Sequence, residues 1–186
     1  MAERTLQDIA EQNKRLTIAK INKNTEEKAE AYHNLGRAYD SLKDFHQAIE
    51  YHNQHLRIAK EVGDRAGQGK AYRNLGVTYH NLNEFQRAIE YTNKYLTIAK
   101  EVNDREGQGT AYSVLGATYH NLKEFQRAIE YTNKYLIIAK EVNDRKGEGR
   151  TYANLGVAYA SLNEFHRAIE YYNKYIIIAL WNSLRL

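Results

Sequence analysis

KAYRNLGVTYHNLNEFQRAIEYTNKYLTIAKEVNDR, residues 70–105, is written again as TAYSVLGATYHNLKEFQRAIEYTNKYLIIAKEVNDR at 110–145. Looser copies stand before and after. Gly36, Gly76, Gly116 and Gly156 fall 40 residues apart, as do Tyr39, Tyr79, Tyr119 and Tyr159, and Phe45, Phe85, Phe125 and Phe165. A fixed period of this length is the mark of a solenoid, in which each unit buries its apolar face against its neighbours.

Within a unit the apolar spacing is helical. Tyr72, Leu75, Gly76, Tyr79 and Leu82 recur at i, i+3, i+4, i+7 and i+10, one face of an α-helix. Asn83-Glu84 interrupts it; the matching positions hold Lys43, Lys123 and Asn163, where a left-handed residue would end the helix. A second helix is expected from about Glu84 to Val102. It carries two apolar stripes: Phe85, Ala88, Ile89, Leu96 and Ala99, and Tyr91, Tyr95, Ile98 and Val102. Two stripes mean a helix covered on both sides, by its own first helix and by the next unit. Asp64, Asp104 and Asp144 are the expected N-caps of the following first helices. A mid-helix glycine costs roughly 1 kcal/mol against alanine, so the recurrence at Gly76 implies close helix packing.

The chain divides into a half unit at 1–22, four units at 24–64, 65–104, 105–144 and 145–180, and a divergent end at 181–186. LTIAK at 16–20 matches LTIAK at 96–100, so the chain enters midway through a unit. The single expected domain is all-α, with about nine helices. Pro is absent, which removes obligatory helix breaks. Cys is absent too, which excludes disulfides and Cys-ligated zinc. Residues 1–20 are polar, unlike a secretion signal, and no apolar run approaches the roughly 18 residues of a membrane helix. These features fit a soluble, cytoplasmic protein. Lys and Arg number 27 against 23 Asp and Glu, a net charge of +4, too mild for a nucleic-acid-binding tail.

Tyr72-x2-Leu75-Gly76-x2-Tyr79, followed by Phe85-x2-Ala88, resembles the tetratricopeptide repeat (TPR) signature, with Tyr for the usual leading Trp. Tyr32/Leu35/Gly36/Tyr39, Tyr112/Leu115/Gly116/Tyr119 and Tyr152/Leu155/Gly156/Tyr159 repeat it. The 40-residue period, NLG in the first helix and IAKEVNDR at the junction look like the LGN/Pins-type G-protein signalling modulators. The resemblance implies a right-handed α-solenoid of stacked antiparallel helix pairs. Its first helices would line a groove that holds an extended peptide of a partner protein. Carried over by position, the groove residues are Arg37, Lys70, Arg73, His80, Asn81, His120, Asn121 and Arg150, together with Glu30, His33, Asp40, Thr110 and Ser113. The second Asn of an NLGN pattern is replaced by Arg37, Val77, Ala117 and Val157, so the LGN ligands are not carried over.

The second helices 84–105 and 124–145 differ only at Thr97 and Ile137, while the first helices differ mostly at the groove positions. That contrast favours binding by the first helices, against neutral drift on an exposed face. His52 and His55, at i and i+3, invite a metal, but Thr92/Tyr95, Thr132/Tyr135 and Tyr172/Tyr175 stand there elsewhere, which reads as packing. Gly63 to Ala71 lacks the first Gly and the final Ser or Thr of a phosphate loop. No nucleophile–base set is present, and carboxylates such as Glu84 and Glu90 are spread over solvated faces. No catalysis and no cofactor are expected.

The expected function is therefore a scaffold or adaptor that binds a partner through an extended, acidic segment. Lys70 and Arg150, two units apart, would sit roughly 20 Å from each other at about 10 Å a step, a span of six or seven extended residues. Nucleic acid ranks behind a protein partner, because Glu30 and Asp40 share the groove. A third reading is an engineered or excised array that self-associates through its ends. There the stripe Tyr171, Tyr175 and Ile178 has no next unit, and Trp181, Leu184 and Leu186 add apolar surface.

Overall fold

A computed structural model describes residues 2–183; Leu184 and Leu186 lie outside the described residues. Among those described, all secondary structure is helical, in nine helices: α1 (Ala2–Ile21), α2 (Thr25–Ser41), α3 (Phe45–Glu61), α4 (Arg65–Asn81), α5 (Phe85–Glu101), α6 (Arg105–Asn121), α7 (Phe125–Glu141), α8 (Arg145–Ser161) and α9 (Phe165–Ser183). None is long and apolar enough to cross a membrane.

The helix ends follow from individual residues. Lys43, Asn83, Lys123 and Asn163 each adopt a left-handed conformation, with φ of 61°, 62°, 60° and 60°. This turns the chain so that the Glu84 amide donates back to the Tyr79 carbonyl at 2.9 Å, satisfying a carbonyl that the helix end would leave open. At the next start, the Oδ1 atoms of Asp64, Asp104 and Asp144 each accept from the amide three residues on, at 2.8 Å. The expected caps and stops are therefore present.

Two compact units divide within α5: residues up to Ile98, and residues from Ala99. In the first, α1 packs on α2, α2 on α3, and α3 on α4, while the first helices α2 and α4 also touch. Leu35, Ala31, Tyr32 and Ile58 form its core with Ile9 and Leu16 of α1. In the second, α6 packs on α7, α7 on α8, and α8 on α9. Tyr152, Leu155 and Ile178 form a core there, joined by Ile129, Leu136, Tyr159 and Tyr171. Leu35, Leu75, Leu115 and Leu155, at one repeat position, are completely buried.

Within each helix pair the glycine sets the spacing. A Cβ at Gly76 would lie 2.5 Å from Thr92 Oγ1 and 3.3 Å from the Thr92 amide nitrogen. His52, Thr132 and Tyr172 face Gly36, Gly116 and Gly156 in the same way. Beside this contact the Tyr rings stack: Tyr39 on Tyr51 at 5.4 Å, Tyr79 on Tyr91 at 5.3 Å, Tyr119 on Tyr131 at 5.4 Å, Tyr159 on Tyr171 at 5.3 Å. Such offset ring pairs add about 0.5–1.5 kcal/mol beyond area burial.

One expectation is corrected here. The stripe Tyr171, Tyr175 and Ile178 does not point to a missing next unit. Tyr171 stacks on Tyr159, and the Ile178 side chain would meet a Cβ at Gly149 at 3.2 Å, both on its own first helix α8. The other stripe faces onward: Ile129 and Leu136 of α7 pack against the core of α8. Their α9 counterparts, Ile169 and Ile176, are 57% and 49% exposed. Both stripes carry large apolar side chains, and their spacing alone does not tell which neighbour each one meets. Val102, counted into one stripe with Tyr91, Tyr95 and Ile98, is also exposed.

Candidate functional site

In the first unit, α2 and α4 lie side by side as first helices and carry Arg37, Lys70, Arg73, His80 and Asn81. Arg37, Lys70, Arg73 and Asn81 are exposed. Among the described residues, none of the three cations has a carboxylate within ion-pair distance. The second helices contrast with this. Arg87 and Lys94 pair with Glu84 and Glu90, Arg127 and Lys134 with Glu124 and Glu130, and Arg167 and Lys174 with Glu164 and Glu170. These pairs lie one helical turn apart and neutralise their own surface. Arg37 borders a cleft of about 270 Å³ between α1 and α2, with Asp8, Gln12 and Asn34. The Asn34 amide donates to Gln12 Oε1 at 3.3 Å.

A histidine cluster sits between α2 and α3. The rings of His33 and His55 meet edge to face with centroids 5.2 Å apart. His55 is 5% exposed and His33 half-buried. The Nδ1 atoms of both are buried without a partner. Burial, then the charges of His55, Arg37, His52 and Lys70, lower the pKa of His33 to about 4. Burial, then His52, lower that of His55 to about 4 as well; Lys70 adds to this and Asp64 opposes it. His52 is wholly buried, and its Nε2 donates to Asp40 Oδ2 at 2.9 Å. Thr78 Oγ1 donates to Asp40 Oδ1 at 2.8 Å. Asp40 thus links α2, α3 and α4. His52 and His55 are packed side chains; no group of three or more His, Asp or Glu among the described residues has metal-site geometry.

His80, half-buried at the end of α4, lies 6.0 Å from the Phe85 ring, and burial lowers its pKa. In the second unit, the His120 ring stands edge-on to Phe125 at 5.4 Å, with Nε2 buried and unpartnered. Asn121 and Arg150 are exposed. Arg150 and Thr110 share a cleft of about 360 Å³ between α6 and α8, with Tyr135 and Ile138 of α7. Arg150 Nη2 lies 3.5 Å from the Tyr135 hydroxyl, which itself donates to Asp144 at 3.3 Å. The contact of His33 with His55 escapes sequence reading, since the two lie 22 positions apart. The usable signal is that Tyr95, Tyr135 and Tyr175 stand where this unit has His55.

Repeated helix pairs, each closed by a glycine contact and a tyrosine stack, define a helical repeat protein. The chain belongs to the tetratricopeptide repeat family, whose model matches residues 9–61, 27–101 and 107–179. No curated protein shows significant similarity. Among solved structures the chain is similar to BtubC (BKLC) from P. vanneervenii, at 21% identity and a TM-score of 0.80, over 86% of this chain and 66% of that one. It is also similar to the apo form of RapI, at 23% identity and a TM-score of 0.78, over 84% of this chain and 57% of that one. To MamA the identity is 23% and the TM-score 0.75, over 97% and 94% of the two chains. The chain thus spans no more than two thirds of BtubC and RapI. At these identities the likeness is one of fold.

Proposed function

We propose that the exposed face of the first helices binds an extended, acidic segment of a partner protein, and that the chain acts as a scaffold or adaptor rather than an enzyme. TPR proteins generally serve protein interaction. The observation that carries the finer reading is the contrast in pairing. Arg37, Lys70 and Arg73 on α2 and α4 lack carboxylate partners among the described residues, while Arg87, Lys94, Arg127 and Lys134 on α5 and α7 are matched to glutamates. Unpaired exposed cations remain available for charge-assisted hydrogen bonds to a ligand carboxylate. The LGN/Pins-like 40-residue repeat supports an extended peptide as the occupant. Fluorescence anisotropy with Gly/Ser heptapeptides carrying Asp or Glu at set positions tests this. Acidic peptides should bind the chain and lose about tenfold in affinity with Arg37→Glu/Arg73→Glu; equal binding of neutral peptides would remove the reading. Binding of a random oligonucleotide that falls steeply with rising salt, with no binding of these peptides, would favour nucleic acid instead.

A second reading concerns α9. Phe165, Ile169, Ile176 and Leu180 are exposed along one side of this helix, and the equivalent Ile129 and Leu136 of α7 are covered by a helix. We propose that a second copy of the chain covers this face of α9. Sedimentation should show a concentration-dependent dimer that Ile169→Glu/Ile176→Glu converts to monomer. A monomer for the unmodified chain at high concentration would contradict it.

A further inference from the structure

We propose that the groove between α1 and α2 is a seat for an amphipathic, basic helix of a partner protein. The inference goes beyond the acidic-segment reading and concerns a ligand of opposite charge. The 40-residue period puts Thr5, Asp8, Gln12, Arg15 and Ile18 of α1 at the positions of Phe45, Ala48, His52, His55 and Ile58 in α3. On α3 this face is covered by the first helix α2, which packs on α3 and also touches α4. Gly36 closes on His52, the His33 ring meets His55, and Ile58 lies in the core with Ala31 and Leu35. Thus α2 sits in the groove that α3 and α4 form. The helices α1 and α2 pack on each other as α3 and α4 do, and they form a groove of the same kind.

That groove is open. Ile58, Ile98, Ile138 and Ile178 are buried, whereas Ile18, at the same repeat position, is 44% exposed. Small residues of a first helix cover the buried ones: a Cβ at Gly69, Gly109 or Gly149 would lie 3.3, 3.1 or 3.2 Å from Cγ2 of Ile98, Ile138 or Ile178. Beside Ile18 there is instead a cleft of about 310 Å³, lined also by Gln12, Arg15, Glu27, Glu30 and Ala31. Gln12 borders the cleft of about 270 Å³ that holds Asp8 and Arg37 as well, so the two spaces continue one another. From Thr5 to Ile18 they follow α1 for about 20 Å at 1.5 Å a residue, which suits a helix of three to four turns.

The lining sets the chemistry of the occupant. Arg15 is held by Glu11 at 3.0 Å. This leaves Glu27 and Glu30, both exposed, at the first cleft without a cation among the described residues. Asp8 and Arg37 bring one charge of each sign to the second cleft. The net demand is for a cation beside Glu27 and Glu30. A first helix seated here would place its own equivalent of Glu30 one helix spacing away, about 8–10 Å between axes, within reach of a lysine side chain. The helix α4 carries Lys70 at that position, and α6 carries Thr110. Small residues at the positions of Gly69 and Gly76 would meet Ile18 and Gln12.

The test uses the full chain and two labelled peptide probes followed by fluorescence anisotropy at low salt. One is RAGQGKAYRNLGVTYHN, the sequence of α4, and the other REGQGTAYSVLGATYHN, that of α6. Each is held helical by a covalent staple, between positions 73 and 77 or 113 and 117, so that no folding cost masks binding. Both carry the same Gly and Tyr pattern, and they differ in charge. The α4 peptide should bind, about fivefold more tightly than the α6 peptide. Glu27→Gln/Glu30→Gln should abolish that preference, and Ile18→Glu should weaken both peptides about tenfold. Failure of the α4 peptide to bind, or equal affinity for the two peptides, overturns the proposal. So does binding that Ile169→Glu/Ile176→Glu removes, which would put the helix on α9. A dimer that Ile18→Glu converts to monomer would make a second copy the occupant and contradict a partner helix. The acidic heptapeptides with Arg37→Glu/Arg73→Glu test the other reading, so either can fail alone.

Discussion

Gly76 is where a single atom decides the spacing of a helix pair. An added Cβ would meet not only the Thr92 hydroxyl but also the Thr92 backbone nitrogen, at 3.3 Å, so rotating a side chain cannot relieve it. Gly76→Ala is expected to destabilise by about 1–3 kcal/mol and Gly76→Val by more, read from urea unfolding. A loss under about 0.5 kcal/mol would show that the contact is not tight. The need for a small residue was legible from the 40-residue recurrence of glycine. Its partner was not, since the facing position holds three different residue types: His52, Thr92 and Thr132, and Tyr172. The histidines give a second test. His33 and His55 have folded-state pKa values near 4, below the ordinary 6.5. The unfolded chain therefore binds protons that the folded chain refuses. The stability tied to their neutral forms is present above pH 6.5 and is lost as pH falls from 6.5 towards 4. Unfolding midpoints in urea at pH 7 and pH 5 should fall less in His55→Tyr, which installs the residue found in the other repeats. An unchanged pH dependence would mean that the cluster does not govern the acid limb.

At the scale of the element, the helix boundaries were readable because they depend on local residues. Asp64, Asp104 and Asp144 cap first helices, and Lys43 and Lys123 hold the left-handed stops. Lysine bears a Cβ penalty there that glycine avoids. Lys43→Gly should thus raise stability slightly, by about 0.5 kcal/mol, and a loss would show that the Lys43 side chain contributes more than its strain. What was not readable is which apolar stripe faces which neighbour. Both stripes of a second helix can pack on a neighbour, and the tyrosine stacks and the glycine contact show which one meets its own first helix. The equivalence of α7 and α9 makes this testable. Leu136 packs into the core formed with α8, while Ile176 is half-exposed. Leu136→Ala should cost about 2 kcal/mol or more, and Ile176→Ala under about 0.5 kcal/mol at concentrations where the chain is monomeric. Equal costs would contradict the stripe assignment.

Across the whole molecule, repetition separates what builds the fold from what varies on it. The second helices α5 and α7 are nearly copies of each other, and Arg87, Lys94, Arg127 and Lys134 are matched by glutamates one turn away. First helices keep their Tyr, Leu, Gly and Tyr and vary at Arg37, Lys70, Arg73 and Arg150, all exposed. The fold was legible because a repeated pattern is read several times over. The histidine cluster was not, because its members come from two helices and matter through contact. Exposed positions hold little of the fold, which lets binding be separated from stability. The decisive measurement compares two double charge reversals in binding to the acidic heptapeptides, with Tm recorded for each. Arg73→Glu/Arg150→Glu alters first helices, and Lys100→Glu/Lys140→Glu alters second helices by the same charge. Binding by the first helices predicts a loss of about tenfold or more for the first pair, near-unchanged affinity for the second, and similar Tm in both. Equal weakening by the two pairs would reduce the effect to long-range charge and contradict the assignment.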